Sequence, residues 1–171
     1  MKKFLALAVL FISFLYVTSA NSACDDPPSD GVDYSGCAFS EGQDLTGTYM
    51  PNANLSFTSF IKVIFDKSIM MNSTLANGNY PESSFVRANL YETNLEGGTF
   101  EKTNFTSANL TRANFKAASL IEANFTNANL FEADFTGSNI LNANFDGANL
   151  NNATWTDGIK CGIGSIGQCK K

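Results

Sequence analysis

The chain contains no histidine in its 171 residues. That absence removes His-based catalytic triads, His metal sites and the commonest general base near neutral pH. Charge is sparse, at 16% of residues, and the balance is acidic. No cluster of Lys or Arg forms a basic patch, which disfavours binding to nucleic acid or anionic membrane surfaces. No Gly-rich loop sits between a strand and a helix, so there is no phosphate cradle. The longest apolar run falls short of the ~20 residues of a membrane span. No cofactor and no metal is implied by what remains.

That apolar run, Phe4 to Val17, follows Lys2 and Lys3 and precedes small residues around Ala20 and Ala23. This is the layout of a secretory signal peptide over residues 1–23, and it predicts export to the periplasm or beyond. A competing reading makes Cys24 a lipidated first residue, although Asn21 stands where an aliphatic residue is usual. Loss of the signal leaves 9 basic and 16 acidic residues, a net charge of −7. No membrane attachment is expected after cleavage.

The dominant positive feature is a period of five. Every fifth residue from Leu45 to Trp155 is large and apolar: nine Leu, nine Phe, two Met, Tyr80, Ile140 and Trp155. Neither a helix at 3.6 nor a strand at 2 has this period. Two places before each of these centres, 21 of 23 residues are Ala, Ser, Thr or Gly; directly before it, 14 of 23 are Asn or Asp. In an extended segment the small residue and the centre point the same way. The Asn or Asp points outward, where its side chain can hydrogen-bond backbone and support a turn. The two residues after the centre form the corner.

Short extended pieces with a turn every five residues bury that inner face only by closing on themselves. Closure with four sides takes 20 residues. In steps of 20 the centres sort by type: Leu45, Phe65, Phe85, Phe105, Phe125 and Phe145 in one column, and Met50, Met70, Leu90, Leu110, Leu130 and Leu150 in the next. The third column runs Leu55, Leu75, Leu95, Phe115, Phe135, Trp155, and the fourth Phe60, Tyr80, Phe100, Leu120, Ile140. Steps of 15 or 25 mix Phe with Leu far more. Coils stacked ~4.8 Å apart place identical groups in contact, which explains the sorting.

The repeat A-N-[LF]-x-x, as in Ala108-Asn109-Leu110-Thr111-Arg112, resembles that of the pentapeptide-repeat family. The resemblance covers residues 45–155 and implies an all-β fold, a right-handed quadrilateral β-helix of about six coils of 20 residues. Each coil is then stable only against its neighbours. Tyr34 and Phe39 extend the pattern, with one residue inserted before Leu45. Between Phe57 and Met71 the outward residues include Ile61, Ile64 and Ile69, and Val63 fills a small-residue slot; a local helix is the alternative there.

Cys24, Cys37, Cys161 and Cys169 lie two at each end, and four cysteines allow three connectivities. Export and a rod that separates its ends favour disulfides within each end. Residues 24–44 then form an N-terminal cap with the first repeats, and residues 156–171 a C-terminal disulfide cap. The ending from Trp155 to Cys169 resembles the tails of other exported bacterial members. An open solenoid end invites association, so a monomer or weak end-to-end dimer is expected.

On the sides, Met71, Tyr91 and Phe131 follow their centres in one column, with Arg112 between the last two. Apolar groups in a row make these four residues the candidate partner surface, for a protein or a glycan. Ile61, Ile121 and Leu141 make a less continuous row opposite. The six Asn-x-Ser/Thr sequons follow from the repeat itself. A β-helix enzyme acting on polysaccharide would need a carboxylate cluster, but Asp134 is the only acid among the pre-centre positions from Asn104 to Thr154. Some members of the family mimic DNA and protect gyrase with a strongly negative face. Here residues 41–157 hold 6 basic and 12 acidic residues spread around four sides. The favoured reading is a non-catalytic exported scaffold or binding module, with DNA mimicry and polysaccharide cleavage as alternatives.

Overall fold

The computed structural model describes residues 22–171; the candidate signal peptide lies almost wholly outside them. Among the described residues no helix is long and apolar enough to cross a membrane. The chain winds as a four-sided β-helix. Each side contributes a short parallel pairing to the coil above, as in Asp44 with Ile64, Ile64 with Ser84 and Ser84 with Asn104. The step is 20 residues from Asp44 onward and 21 for Asp33 with Asn54 and Ala38 with Ser59. The residue inserted between Phe39 and Leu45 is thus absorbed at one corner, and the register beyond it is regular. The alternative of a helix between Phe57 and Met71 is not adopted. Ile64 and Ile69 pair with the coils on both sides, and Val63 is buried in its small-residue slot. Inter-coil hydrogen bonds and a buried inner face outweigh the local helical spacing.

Most corners are β-turns closed from the third residue after the centre back to the centre's carbonyl, as in Ala108 N to Phe105 O at 3.0 Å; Ala53 and Val63 instead donate to the hydroxyls of Ser73 and Ser83. The second corner residue adopts a left-handed φ near +58°, at Ser107, Glu122 and Asn127 among others. Type II turns demand such an angle. The Asn before the centre accepts from the backbone N–H two residues on, at 3.0 Å for Asn104 and Thr106. This is the Asx-turn bond that made Asn frequent in that slot. Where the small residue is Ser73, Ser83, Thr93 or Thr103, its hydroxyl reaches the coil before it, as in Thr103 Oγ1 donating to Tyr80 O at 2.7 Å.

The centres from Met50 to Phe135 are fully buried. Phe65, Phe85, Phe105, Phe125 and Phe145 stack nearly parallel with centroids 4.9–5.2 Å apart. A second stack rises through Phe39, Phe60, Tyr80 and Phe100. It then crosses the core to Phe115, Phe135 and Trp155, through an edge contact of Phe100 with Phe115 at 6.2 Å. The switch occurs where Leu120 replaces an aromatic on the Phe100 side. The core thereby keeps a similar volume from coil to coil.

Cys24 is joined to Cys37, and Cys161 to Cys169, with Cα separations of 5.7 and 5.0 Å. With its sulfur in that bond, Cys24 has none for a thioether to lipid. A short 3₁₀ helix, Ser22–Asp25, begins the N-terminal cap. At the other end the tail folds back antiparallel on the last coil, pairing Asn149 with Ile166 and Thr154 with Lys160.

Candidate functional site

The repeat commits two inward positions of every five to the core. Recognition is therefore confined to corners, to the pre-centre slot and to the ends. Met71, Tyr91 and Phe131 do fall in one column, but all three are half-buried, and Arg112 alone of the candidate four is exposed. The reason is local. Tyr91 Oη donates to Glu92 Oε1 at 2.8 Å, and Arg112 spans three coils by donating from Nη1 to Glu92 at 2.9 Å and from Nε to Glu132 at 2.8 Å. The guanidinium also reaches Tyr91 Oη at 3.4 Å. The corner is thus a stitched ion-pair ladder next to Phe131. The Tyr91 hydroxyl and then Arg112 hold Glu92 below the ordinary carboxylate range.

The same side of the rod carries two exposed apolar groups outside the four candidate residues. Tyr49 (55% exposed) and Ile69 pair across adjacent coils, directly before the centres Met50 and Met70. Their signal in the sequence is a departure from consensus: they occupy the slot that holds Asn89, Asn109, Asn129 and Asn149 farther along. Those asparagines hydrogen-bond partly to one another, as Asn109 Nδ2 to Asn89 Oδ1 at 3.1 Å and Asn149 Nδ2 to Asn129 Oδ1 at 3.0 Å. One side therefore grades from apolar, at Tyr49, Ile69, Met71 and Tyr91, to amide-lined. Opposite, Ile61 and Leu141 are exposed and Ile121 is half-buried.

No group of three or more His, Cys, Asp or Glu capable of holding a metal occurs among the described residues. Carboxylates whose affinity for protons is displaced are displaced downward. Lys62 does this to Glu41, and Lys171 to Asp157. Burial raises Asp134, but hydrogen bonds from Thr136 and Lys116 outweigh it. A general acid needs the opposite displacement.

A four-sided β-solenoid built on five-residue units defines the class of this protein. A family model for pentapeptide repeats matches residues 44–77, 68–106, 83–120, 108–140 and 128–156. The chain belongs to the pentapeptide-repeat family, and its fold is the right-handed quadrilateral β-helix. Among solved structures it is similar to a trypsin-treated form of QnrB1, a plasmid-mediated fluoroquinolone resistance protein. The identity there is 20% and the TM-score 0.65, covering 75% of this chain and 66% of that one. A second trypsin-treated form matches at 22% identity and TM-score 0.58, covering 70% and 57%. The chain thus spans just under two thirds of those relatives at most. A pentapeptide repeat protein from the thylakoid lumen of Arabidopsis thaliana matches at 23% identity and TM-score 0.46, covering 72% of each chain. At these identities the likeness concerns the fold alone. No curated protein matches the chain in sequence.

Proposed function

We propose that this protein is an exported, non-catalytic pentapeptide-repeat rod whose Tyr49–Ile69–Met71–Tyr91 side makes contact with a partner protein. The observation that carries the reading is this apolar run on a side otherwise lined with Asn. Aliphatic groups beside two tyrosines suit a protein surface, since contact cores are enriched in Tyr, Met and Arg; a glycan partner is the other outcome of the test. Arg112, fixed by Glu92 and Glu132, supplies a preorganised polar edge to the same surface. Export is supported by the placement of all four cysteines in two disulfides, which persist in oxidising compartments. The lack of histidine and the downward-displaced carboxylates support a non-catalytic role.

The DNA-mimic alternative draws on the fold shared with QnrB1. It is disfavoured by the ion pairs Lys62–Glu41, Arg112–Glu92, Arg112–Glu132 and Lys116–Asp134, which interrupt negative charge around the rod.

Two measurements test the proposal. Cell fractionation with thiol alkylation is expected to recover the protein outside the cytoplasm with all four cysteines unreactive; cytoplasmic protein with free thiols would overturn export. Affinity capture from periplasmic and secreted fractions is expected to retain a protein that Tyr49→Ser/Ile69→Ser and Tyr91→Ala/Phe131→Ala variants lose. Equal retention by wild type and variants would overturn the assigned surface, and a retained glycan would replace the class of partner.

A further inference from the structure

Both ends of the rod are half-covered, and on corresponding sides. At the C-terminal end the folded-back tail covers the sides through Leu150 and Trp155. Leu150 N donates to Ser165 O at 2.8 Å, and Trp155 N to Ile159 O at 2.8 Å. The side through Ile140 has no such cover, and on the side of Phe145, itself 8% exposed, the tail reaches only the corner, where Gly167 N donates to Ala148 O at 2.9 Å. One coil earlier, the backbone N–H groups of Leu120, Glu122, Phe125 and Asn127 donate to Asn139, Leu141, Asn144 and Asp146. Among the described residues, nothing accepts from their counterparts on Ile140, Asn142, Phe145 and Gly147. At the N-terminal end the cap leaves Tyr34, Leu45 and Met50 buried and Phe39 only partly so. A groove of about 430 Å³ lies there against Phe39 and Leu45, with Asp25, Asp26, Pro27 and Pro28 as its other wall. Phe39 and Leu45 head the same two columns that end in Ile140 and Phe145.

The two ends differ in chemistry. Residues 22–61 contain six acidic residues and no Lys or Arg. Beyond Asp157 the chain has Lys160, Lys170 and Lys171 and no acid. The C-terminal cap also presents Ile163, 91% exposed, beside half-exposed Ile159 and Ile166. An apolar basic projection thus stands at one end and an apolar acidic recess at the other.

We propose that the N-terminal groove is the docking site for the C-terminal cap of a second copy of this chain, joined head to tail with a half-turn about the rod axis. The half-turn sets the projecting half of each end against the open half of the other. Ile163 and Ile166 enter the recess beside Phe39 and Leu45, and Lys160 and Lys170 face Asp25 and Asp26. The partner's N-terminal cap then covers the Ile140–Phe145 edge. Joining like ends instead would set lysines against lysines or aspartates against aspartates. The contact is heterologous, so every added copy leaves one groove and one cap free, and growth does not stop at two. The inference is independent of the side surface proposed above, which the association leaves open.

Sedimentation velocity on the oxidised protein, purified from cells expressing the full chain, tests this. The average mass is expected to rise with concentration past that of a dimer, and to fall back toward monomer in about 0.5 M salt, where charges are screened. Asp25→Asn/Asp26→Asn and Ile163→Ser/Lys170→Ser are each expected to stay monomeric alone. Mixed, they are expected to form a one-to-one dimer and nothing larger, since one intact groove meets one intact cap. These side chains are exposed, and an unchanged circular dichroism melt confirms that the variants fold. A wild type that stays monomeric at all concentrations would overturn the proposal. A mass that stops at dimer, and that the groove variant retains, would overturn it in favour of joined C-terminal ends.

Discussion

At the scale of the residue, the repeat divides labour sharply. The centre and the small residue before it face in, and a left-handed corner falls on whatever side chain follows two places later. Many of these corners hold Asn or Gly, for which that angle costs little. Phe57 does not fit this division: its φ is +58° and it is 69% exposed, so it bears the conformational cost without burying its ring. Phe57→Asn is therefore expected to stabilise the protein by about 0.5–1 kcal/mol and raise the melting temperature by roughly 1–3 °C. A lower melting temperature for this variant would show that the ring has a folded-state contact that offsets the strain. Residue-level reading of the sequence found the inward positions, because burial alone sets them. On the surface, Met71, Tyr91 and Phe131 are half-buried, whereas Arg112, Tyr49 and Ile69 are exposed. Exposure depends on what the coils above and below place beside a side chain, and no single repeat records that.

At the scale of the element, the unit is one coil, and its weak points are the first and the last. Interior coils are paired on both edges, whereas terminal coils rely on caps. The Cys161–Cys169 disulfide fixes the tail whose backbone satisfies Leu150, Asn152 and Trp155. Closing a loop of 8 residues is worth about 2.5 kcal/mol in chain entropy. Cys169→Ser is expected to lower thermal stability under oxidising conditions by about that amount and to expose Trp155, read as a red shift of its fluorescence. An unchanged melting temperature and unchanged emission would mean that the tail holds without the bond. The 21-residue register of the first coil and the crossing of the second aromatic stack from Phe100 to Phe115 also belong to this scale. The insertion before Leu45 was legible as a break in the fives. The crossing was not, because it concerns which centres meet across the core rather than which follow in a column.

At the scale of the whole molecule, the acid and alkaline limits of stability follow from the same chemistry. Asp33, Asp44 and Glu92 are held below the ordinary carboxylate range by hydrogen bonds from Ser35, Thr46 and Tyr91, with Arg112 also acting on Glu92. A depressed native value contributes stability above the unfolded value, near pH 4, that is lost as pH falls through the native one. Burial pushes the Tyr80 hydroxyl upward, and Glu41 does the same to Lys62. Raised native values contribute stability below about pH 10 that is lost above it. With no histidine to titrate between, the melting temperature is expected to be flat from about pH 5.5 to 9 and to fall on both sides. A shift of several degrees between pH 6 and 8 would contradict this account.

The period, the number of sides, the inward residues and the acidic balance are all legible in the order of the amino acids alone. Each is a consequence of burying one face of a chain that turns every fifth residue, and each repeats often enough to be read without coordinates. Tertiary structure decided the rest. It selected the two disulfides from three connectivities, laid Arg112 across Glu92 and Glu132, set Tyr49 beside Ile69, and left Phe39 and Ile140, on one side of the rod, only partly covered at the two ends. These are relations between residues about 20 apart or at opposite ends of the rod. They depend on stacking and on how each cap folds back, which the local pattern of five does not encode.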